Sequence, residues 1–584
     1  MSQIHSPPSG EILSAPSLTG AAWVLREVDP GVLEALSTAG HPRVLARCLA
    51  LRGASEVTSA ARILHPDMDA LHDPMSMHGM EIALPRLQKA IRDREKTRVV
   101  TDYDVDGTTS SLILQATLRL LGGQGVSYHI PDRMTEGYGF SVQAAEKAAA
   151  DGVNLIVTAD IGVKDHAAVT RARELGVDVL VLDHHLPPGE DVPGDATAVL
   201  CPPQDRCGYP NTALAACGVS FKVAQAMLAE HPSRERILRS MMKLAAIGTV
   251  ADVVDLSTQE NRAIVALGLQ SLNEDRHTPG LAALLRVAGV TQGQITSREL
   301  GFRIGPRINA AGRLESATRV VELLTTGDPD LAQARAKELD EINSERRAVQ
   351  EAMLTLAFRE LPKPLPDFVV VAQPEGPQWH RGVAGIVAAR IRDQVNRPAA
   401  VIAITPHGAT GSARSIPQVH AVECLEAASD LLSRFGGHPA AAGFSLAEAD
   451  IPALAQRLAA AATEQLQGKA PQRMHAADAR IDAAELGMGL YRSLEQLAPH
   501  GKGNPEPLLW LRGGRIEGTR LIKDKHLKGR LRHSAGSVDF IWWNAAGQRE
   551  AVDGQPIELL AKLDLNRWQG VERLQLVVED ARVG

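Results

Sequence analysis

The stretch Arg98-Val-Val-Thr-Asp-Tyr-Asp-Val-Asp-Gly-Thr-Thr-Ser-Ser111 sets the reading of the whole chain. A short apolar strand stops in alternating carboxylates, and a glycine and four hydroxyl residues then open a helix. Asp102, Asp104 and Asp106 are thereby crowded into one loop. Like charges at this spacing raise one another's pKa unless a cation sits between them, and no Lys or Arg follows Arg98 in the stretch. A divalent metal ion is the natural counter-ion. An acidic turn with Thr108 or Thr109 capping the next helix fits these residues equally well, so the stretch alone leaves both readings open.

Three further clusters break the tie. Residues 153–158 read as a second apolar strand, with Asp160 just past its end in Thr158-Ala-Asp-Ile-Gly162. Residues 177–182 read as a third, running into Asp183-His184-His185. An apolar helical stretch over 244–250 leads to Asp252 in Gly248-Thr-Val-Ala-Asp252. Strands alternating with helices from 97 to about 255 predict a doubly wound α/β domain. In such a domain ligands collect at the carboxyl ends of the strands, so the first three clusters are expected to converge on one sheet edge. Carboxylates with imidazole and no nearby thiol suit Mn²⁺ or Mg²⁺ better than structural zinc.

D-Y-D-x-D-G, the strand-end Asp of T-A-D-I-G, D-H-H and G-T-V-A-D, in this order, resemble the four motifs of the DHH phosphoesterase family. The likeness extends to its RecJ-type branch of exonucleases specific for single-stranded DNA. Phosphatase members of the family place a His where this chain has Val100, and RecJ-type members lack it too. The resemblance implies two-metal phosphodiester hydrolysis. Asp104, Asp106, Asp160, His184 and Asp252 would hold two Mn²⁺ or Mg²⁺ ions, with Asp160 bridging, while Asp183 and His185 orient ligands and assist proton transfer.

Other segments carry the resemblance onward. Residues 1–96 read as a helical cap, helical from Trp23 and punctuated by prolines. In Ile130-Pro-Asp-Arg-Met-Thr-Glu-Gly-Tyr-Gly-Phe140, Arg133 suits a phosphate and Tyr138 a base, though each also reads as a structural side chain. The family likeness puts both on the 5′ end of the strand. Gly305-Pro-Arg-Ile-Asn-Ala-Ala-Gly-Arg313 reads either as a surface turn or as a close approach to an anion. By resemblance Arg307, Asn309 and Arg313 contact the scissile region. The catalytic DHH domain is expected over 97–325.

A helix is predicted from Asp328-Pro329 to Leu361 within a connecting segment 326–365, about 45 Å at about 1.5 Å per residue. It would separate two globular halves flanking a substrate cleft. Residues 366–468 read as a smaller α/β unit. Its segments Gln378-Trp-His-Arg-Gly382, Gly411-Ser-Ala-Arg-Ser415 and Phe435-Gly-Gly-His438 resemble a DHHA1 domain. That likeness assigns Ser412 and Arg414 to a terminal phosphate and His438 to the active-site cleft, and the helix start at His380 offers amides to a phosphate. Leu497-Ala-Pro-His-Gly-Lys-Gly-Asn-Pro-Glu-Pro507 resembles the segment that precedes an OB-type β-barrel in RecJ proteins, here expected within 469–584. Eight basic residues between Arg512 and Arg532 face only Glu517 and Asp524 in the sequence, a solvated strand face or a track for a nucleic-acid backbone.

Composition sets outer bounds. A chain of 584 residues accommodates three or four domains. A net charge of −7 excludes nucleic-acid coating through bulk charge, so such a partner must be held by local patches and metal. Five cysteines without C-x-x-C spacing predict reduced, buried thiols. No run of about 18 apolar residues marks a membrane span, and a cytoplasmic monomer is expected. The family implies single-stranded DNA as substrate, degraded 5′-to-3′ in DNA repair and recombination, with single-strand-binding protein and a recombination helicase as partners. The competing readings are a DHH phosphodiesterase of short oligonucleotides or cyclic dinucleotides, and a non-catalytic scaffold.

Overall fold

A computed structural model describes residues 10–13 and 17–583, apart from residues 134, 188, 190 and 569. They gather into two compact units. One comprises Thr58–Ser344 with Leu497–Glu506, and the other comprises Glu345–Gln496, Pro507–Gly584 and the chain up to Val57.

The first unit is built on five parallel strands, β1 (Thr97–Thr101), β2 (Val126–His129), β3 (Leu155–Ala159), β4 (Asp178–Leu182) and β5 (Ala198–Leu200). Their order is β2-β1-β3-β4-β5. Strands covered on both faces read as unbroken apolar runs, and every residue of β3 is buried. The strand order reverses beside β1, so the ends of β1 and β3 frame the switch point where open sheets bind ligands. Helix α1 (Val105–Leu120) rises from that point and is buried along nearly its whole length. Its hydroxyl residues are compact enough for close packing and bond back to its own carbonyls, as Thr109 does to Val105 at 2.8 Å. Helix α2 (Arg234–Ala251) packs along α1 and ends at Asp252. A π-helical turn, Leu300–Ile304, leads into α3 (Gly305–Leu314). The stretch read either as a glycine-rich surface turn or as a close approach is therefore a helix. Pro306 fits in its first turn, where a missing N–H costs nothing.

Helix α4 (Pro329–Arg359) is 31 residues long and crosses from the first unit into the second. The second unit holds a mixed sheet of β6 (Val369–Pro374), β7 (Ala399–Thr405), β8 (Gly408–Arg414), β9 (Leu432–His438) and β10 (Ala441–Leu446), in the order β9-β10-β8-β7-β6. Helix α5 (Arg381–Val395) packs across β7 and β8. Beyond it, β11 (Ala479–Asp482) pairs with the start of β12 (Leu509–Ile522). Strands β12, β13 (His526–His533), β14 (Gly536–Trp542), β15 (Pro556–Trp568) and β16 (Val571–Val583) follow the order β12-β13-β14-β16-β15, and β15 pairs back onto β12 to close the barrel.

The N-terminus departs from the expected helical cap. Ala22–Arg26 is a strand lying parallel to Met474–Ala477 in a small sheet of the second unit. Trp23 is fully buried, edge-on to Trp510 at 5.6 Å, and its Nε1 donates to Asp580 at 2.8 Å. The strand pairs on one side with nearby Gly10–Leu13 and on the other with Met474–Ala477, some 450 residues downstream and beyond the reach of local periodicity. The helical segments expected there begin at Pro30, and Met80–Arg92 leads into β1.

Candidate metal centre

Asp104 caps α1, its carboxylate accepting from the Gly107 N–H at 3.0 Å. Asp106, in the first turn of α1, is buried and accepts from the Ala216 and Cys217 N–H groups at 2.7 and 2.8 Å, at the start of helix Ala216–Met227. A helix N-terminus presents free amides and positive potential, so it fixes this carboxylate in place. Asp160 ends β3 with φ 66°, and its N–H bonds the Leu182 carbonyl at 3.0 Å. This left-handed turn accompanies a side chain whose Oδ1 lies 3.1 Å from His184 Nε2. Asp252 caps α2 and approaches His184 Nδ1 at 3.8 Å.

These side chains form two separate groups of close ligand atoms, Asp106–His184–Asp252 and Asp102–Asp104–Asp160. A third group, Asp160–His184–His185, overlaps both. All five expected metal ligands are among them. Asp102 and His185 are additional, and sequence reasoning left Asp102 without a role. Asp102 is buried, and among the described residues its Oδ1 has no hydrogen-bond partner, an orphan that a cation would satisfy. Burial first, and neighbouring carboxylates second, push Asp102, Asp160 and Asp252 well above the usual carboxylate range. Burial pushes His184 down, towards the neutral form that ligates metals. Hard oxygen donors, a neutral imidazole and uncompensated negative charge fit two divalent cations.

Asp183 behaves differently. Burial raises its pKa, but bonds from the N–H groups of Val163, His184 and His185 and from His185 Nδ1, at 2.8–3.1 Å, outweigh burial and hold it ionised. The same bond from Asp183 overcomes the burial of His185 and lifts that imidazole to about 9. Asp183 Oδ1 takes three of these bonds and Oδ2 the fourth, so both oxygens are engaged within the protein. The Tyr138 hydroxyl stands 3.3 Å from His185 Nε2, its ring about half exposed.

The Arg133 guanidinium lies 5.3 Å over the Tyr103 ring. Burial raises the Tyr103 phenol to about 12, against the nearby charges of Arg133 and Arg313. Two arginines therefore flank the acidic loop. Helix α3 approaches that loop closely, since a Cβ on Gly312 would fall 2.4 Å from the Tyr103 carbonyl oxygen. Asn309 is half-buried on the same helix. Arg307 departs from expectation. Its Nε and Nη2 each reach Asp340 at 2.8 Å and its Nη1 bonds the Arg303 carbonyl, so it clamps α3 to α4 rather than offering a free guanidinium.

In the second unit, Arg414 Nη1 donates to Ser412 Oγ at 3.0 Å on β8, and Gly385 of α5 leaves room for both. His380 caps α5, its Nδ1 accepting from Gly382 N–H at 3.0 Å, and His438 ends β9. On the barrel, several of the basic residues meet acids of neighbouring strands. Arg512 pairs with Glu558, Arg530 with Asp539 and Arg532 with Glu517. Among the described residues Arg520, Lys523, Lys525 and Lys528 have no ion pair. Half-exposed Trp543, which sequence reasoning did not single out, stands beside them with its ring 4.7 Å from His526.

Three family models match the chain: the DHH family N-terminal domain over residues 96–249, the DHHA1 domain over 367–464 and the RecJ OB domain over 477–580. The single-stranded-DNA-specific exonuclease RecJ of Bacillus subtilis is 34% identical over 96% of this chain and 71% of its own length. Its counterpart in Dickeya dadantii is 35% identical over 92% and 96%. The crystal structure of RecJ from Thermus thermophilus in complex with Mn²⁺ superposes with a TM-score of 0.81 at 31% identity, covering 96% of this chain and 79% of that one. The Mg²⁺ complex of the same protein gives 0.75 at 30% identity, covering 96% and 78%.

Proposed function

The chain belongs to the RecJ family of DHH-type exonucleases, and from that premise we propose that it hydrolyses single-stranded DNA from the 5′ end, releasing 5′-mononucleotides in DNA repair and recombination. The observation that carries this reading is the convergence of Asp104, Asp106, Asp160, His184 and Asp252 at the switch point of a parallel sheet, in two groups each suited to a divalent cation. Mn²⁺ or Mg²⁺ bound there supplies the charge that acidifies water and stabilises the leaving oxygen of a phosphodiester.

The protein's own groups do the positioning. Asp106 is locked by two amides and Asp160 by its turn, so the ligands are arranged before substrate arrives. Asp183 holds His185 in one orientation with Nδ1 as donor, leaving Nε2 towards Tyr138, where it can pass a proton at the reacting phosphate. We assign Arg133 and Arg313, both beside Tyr103, together with Asn309 of α3, to strand phosphates, and the Tyr138 ring to a base. In the second unit Ser412 and Arg414, beside the start of α5 at His380, bring together the hydroxyl, guanidinium and amides that a terminal phosphate needs, with His438 in a supporting role. The four unpaired cations and Trp543 on the barrel suit the backbone and bases of a longer strand.

The matched OB domain tells against a phosphodiesterase confined to very short substrates. The intact ligand groups tell against a non-catalytic scaffold. No helix among the described residues is long and apolar enough to cross a membrane, and we place the protein in the cytoplasm as a monomer, with single-strand-binding protein and a recombination helicase as partners. Digestion of 5′- and 3′-labelled single- and double-stranded DNA and RNA across a Mn²⁺ and Mg²⁺ series tests substrate, polarity and cofactor together. Equal cleavage of duplex and single strands, or turnover in chelator, would refute the reading.

A further inference from the structure

Residues 497–506 join the catalytic unit although they come some 240 positions after Asp252. This loop is held far more firmly than a connector requires. Buried Arg262 donates through Nη2 to the Leu497 and Ala498 carbonyls at 2.6 and 2.8 Å. Asn504 Nδ2 ties Leu497 to Pro499 from inside the loop, at 2.9 and 2.7 Å, and Ser297 Oγ holds the His500 carbonyl at 2.6 Å. The turn is pressed against the segment just beyond Asp252. The Leu256 N–H donates to the Lys502 carbonyl at 2.8 Å, and a Cβ on Gly503 would sit 1.8 Å from Asp255 Oδ1. Gly503, at φ 76°, is the residue that permits this contact.

What the loop delivers is one side chain. Lys502 is exposed and makes no ion pair among the described residues, yet its charge is felt at Asp252. Here the backbone on both sides is fixed against the segment that follows Asp252, so the side chain starts beside the acidic centre. Once two cations neutralise the acids, it becomes an additional positive charge beside the place where a phosphodiester lies. We propose that Lys502 is a strand-binding residue of the centre, its ammonium taking a non-bridging oxygen of a phosphodiester adjacent to the one being cleaved. This rests on the nuclease reading above. A lysine is suited to such a task because its compact, rotatable charge can follow a strand that advances one nucleotide per cycle.

The test uses single-stranded DNA carrying one neutral methylphosphonate linkage, moved stepwise from the 5′ end, with the wild-type protein and the Lys502→Ala and Lys502→Arg variants. In the wild type, one linkage next to the scissile bond should cost about tenfold in kcat/KM, as expected for a charge-assisted contact. Lys502→Ala should lose about as much on the unmodified strand and be indifferent to the charge at that linkage, while Lys502→Arg restores the sensitivity. The proposal is overturned if Lys502→Ala keeps the wild-type sensitivity profile, or if its only defect is a raised Mn²⁺ requirement, which would mean that Lys502 acts on Asp252 alone. A wild-type protein inert on the unmodified strand would instead overturn the nuclease reading itself.

Discussion

Carboxylates that repel one another in a buried site are the source of both the chemistry and its vulnerability. Replacing Asp160 or His184 with Ala removes a member shared between ligand groups, so nuclease activity should fall about a thousandfold or more and metal stoichiometry should drop below two. Asp102→Asn is the sharper test. It keeps the shape but removes the charge of the orphaned oxygen, and it should raise the Mn²⁺ concentration for half-maximal activity by about 10- to 100-fold. Metal binding should also release protons. Asp102, Asp160 and Asp252 hold protons to higher pH than ordinary carboxylates, and a cation displaces them. Apparent affinity therefore rises with pH, and calorimetric enthalpies of Mn²⁺ binding should vary with the ionisation enthalpy of the buffer; buffer-independent enthalpies would show the acids already ionised. The convergence of the five candidate ligands was legible because each lies at or beside a strand or helix end in a recognisable motif. The unpartnered oxygen of Asp102 was not, since it is invisible in a sequence, nor was the pairing of Arg307 with Asp340, 33 residues away.

The elements are placed by close approach as much as by periodicity. Helix α3 can reach the acidic loop because residue 312 has no side chain. Gly312→Ala should force the helix back from the Tyr103 carbonyl, costing about 1–3 kcal/mol in denaturant unfolding. Activity should fall further than that loss explains, because Arg313 moves with the helix; an unchanged kcat/KM would argue against any role for α3 in the site. The parallel strands were legible from their unbroken apolar runs. Two features were not. The strand Ala22–Arg26 lies between Gly10–Leu13 and the distant Met474–Ala477, and the basic run of β12 and β13 takes some of its partners from Asp539 and Glu558 on other strands. Cross-strand neighbours depend on register, which local reading does not supply.

At the scale of the molecule, a chain of net charge −7 must hold a polyanion through local charge. Around the β12–β13 turn Arg520, Lys523, Lys525 and Lys528 have no ion pair among the described residues. Removing the chain after Gly468 is a poor way to test them. It would strip Met474–Ala477, Trp510 and Asp580 from fully buried Trp23, so the N-terminal strand would lose its packing along with the barrel. Substituting the four cations with Gln or Ser leaves that core intact. Each phosphate contact on a single strand contributes about 0.7 to the slope of log affinity against log salt. If all four engage the strand, the variant's slope should therefore be shallower by nearly 3, with weaker binding to long strands at low salt. Dinucleotides and other substrates too short to span beyond the metal centre should be cleaved at the wild-type rate. An unchanged slope would make the patch a solvated surface and leave long-strand affinity to Trp543 and the catalytic unit. A fall in dinucleotide cleavage would show instead that the barrel's charge acts on the chemistry itself.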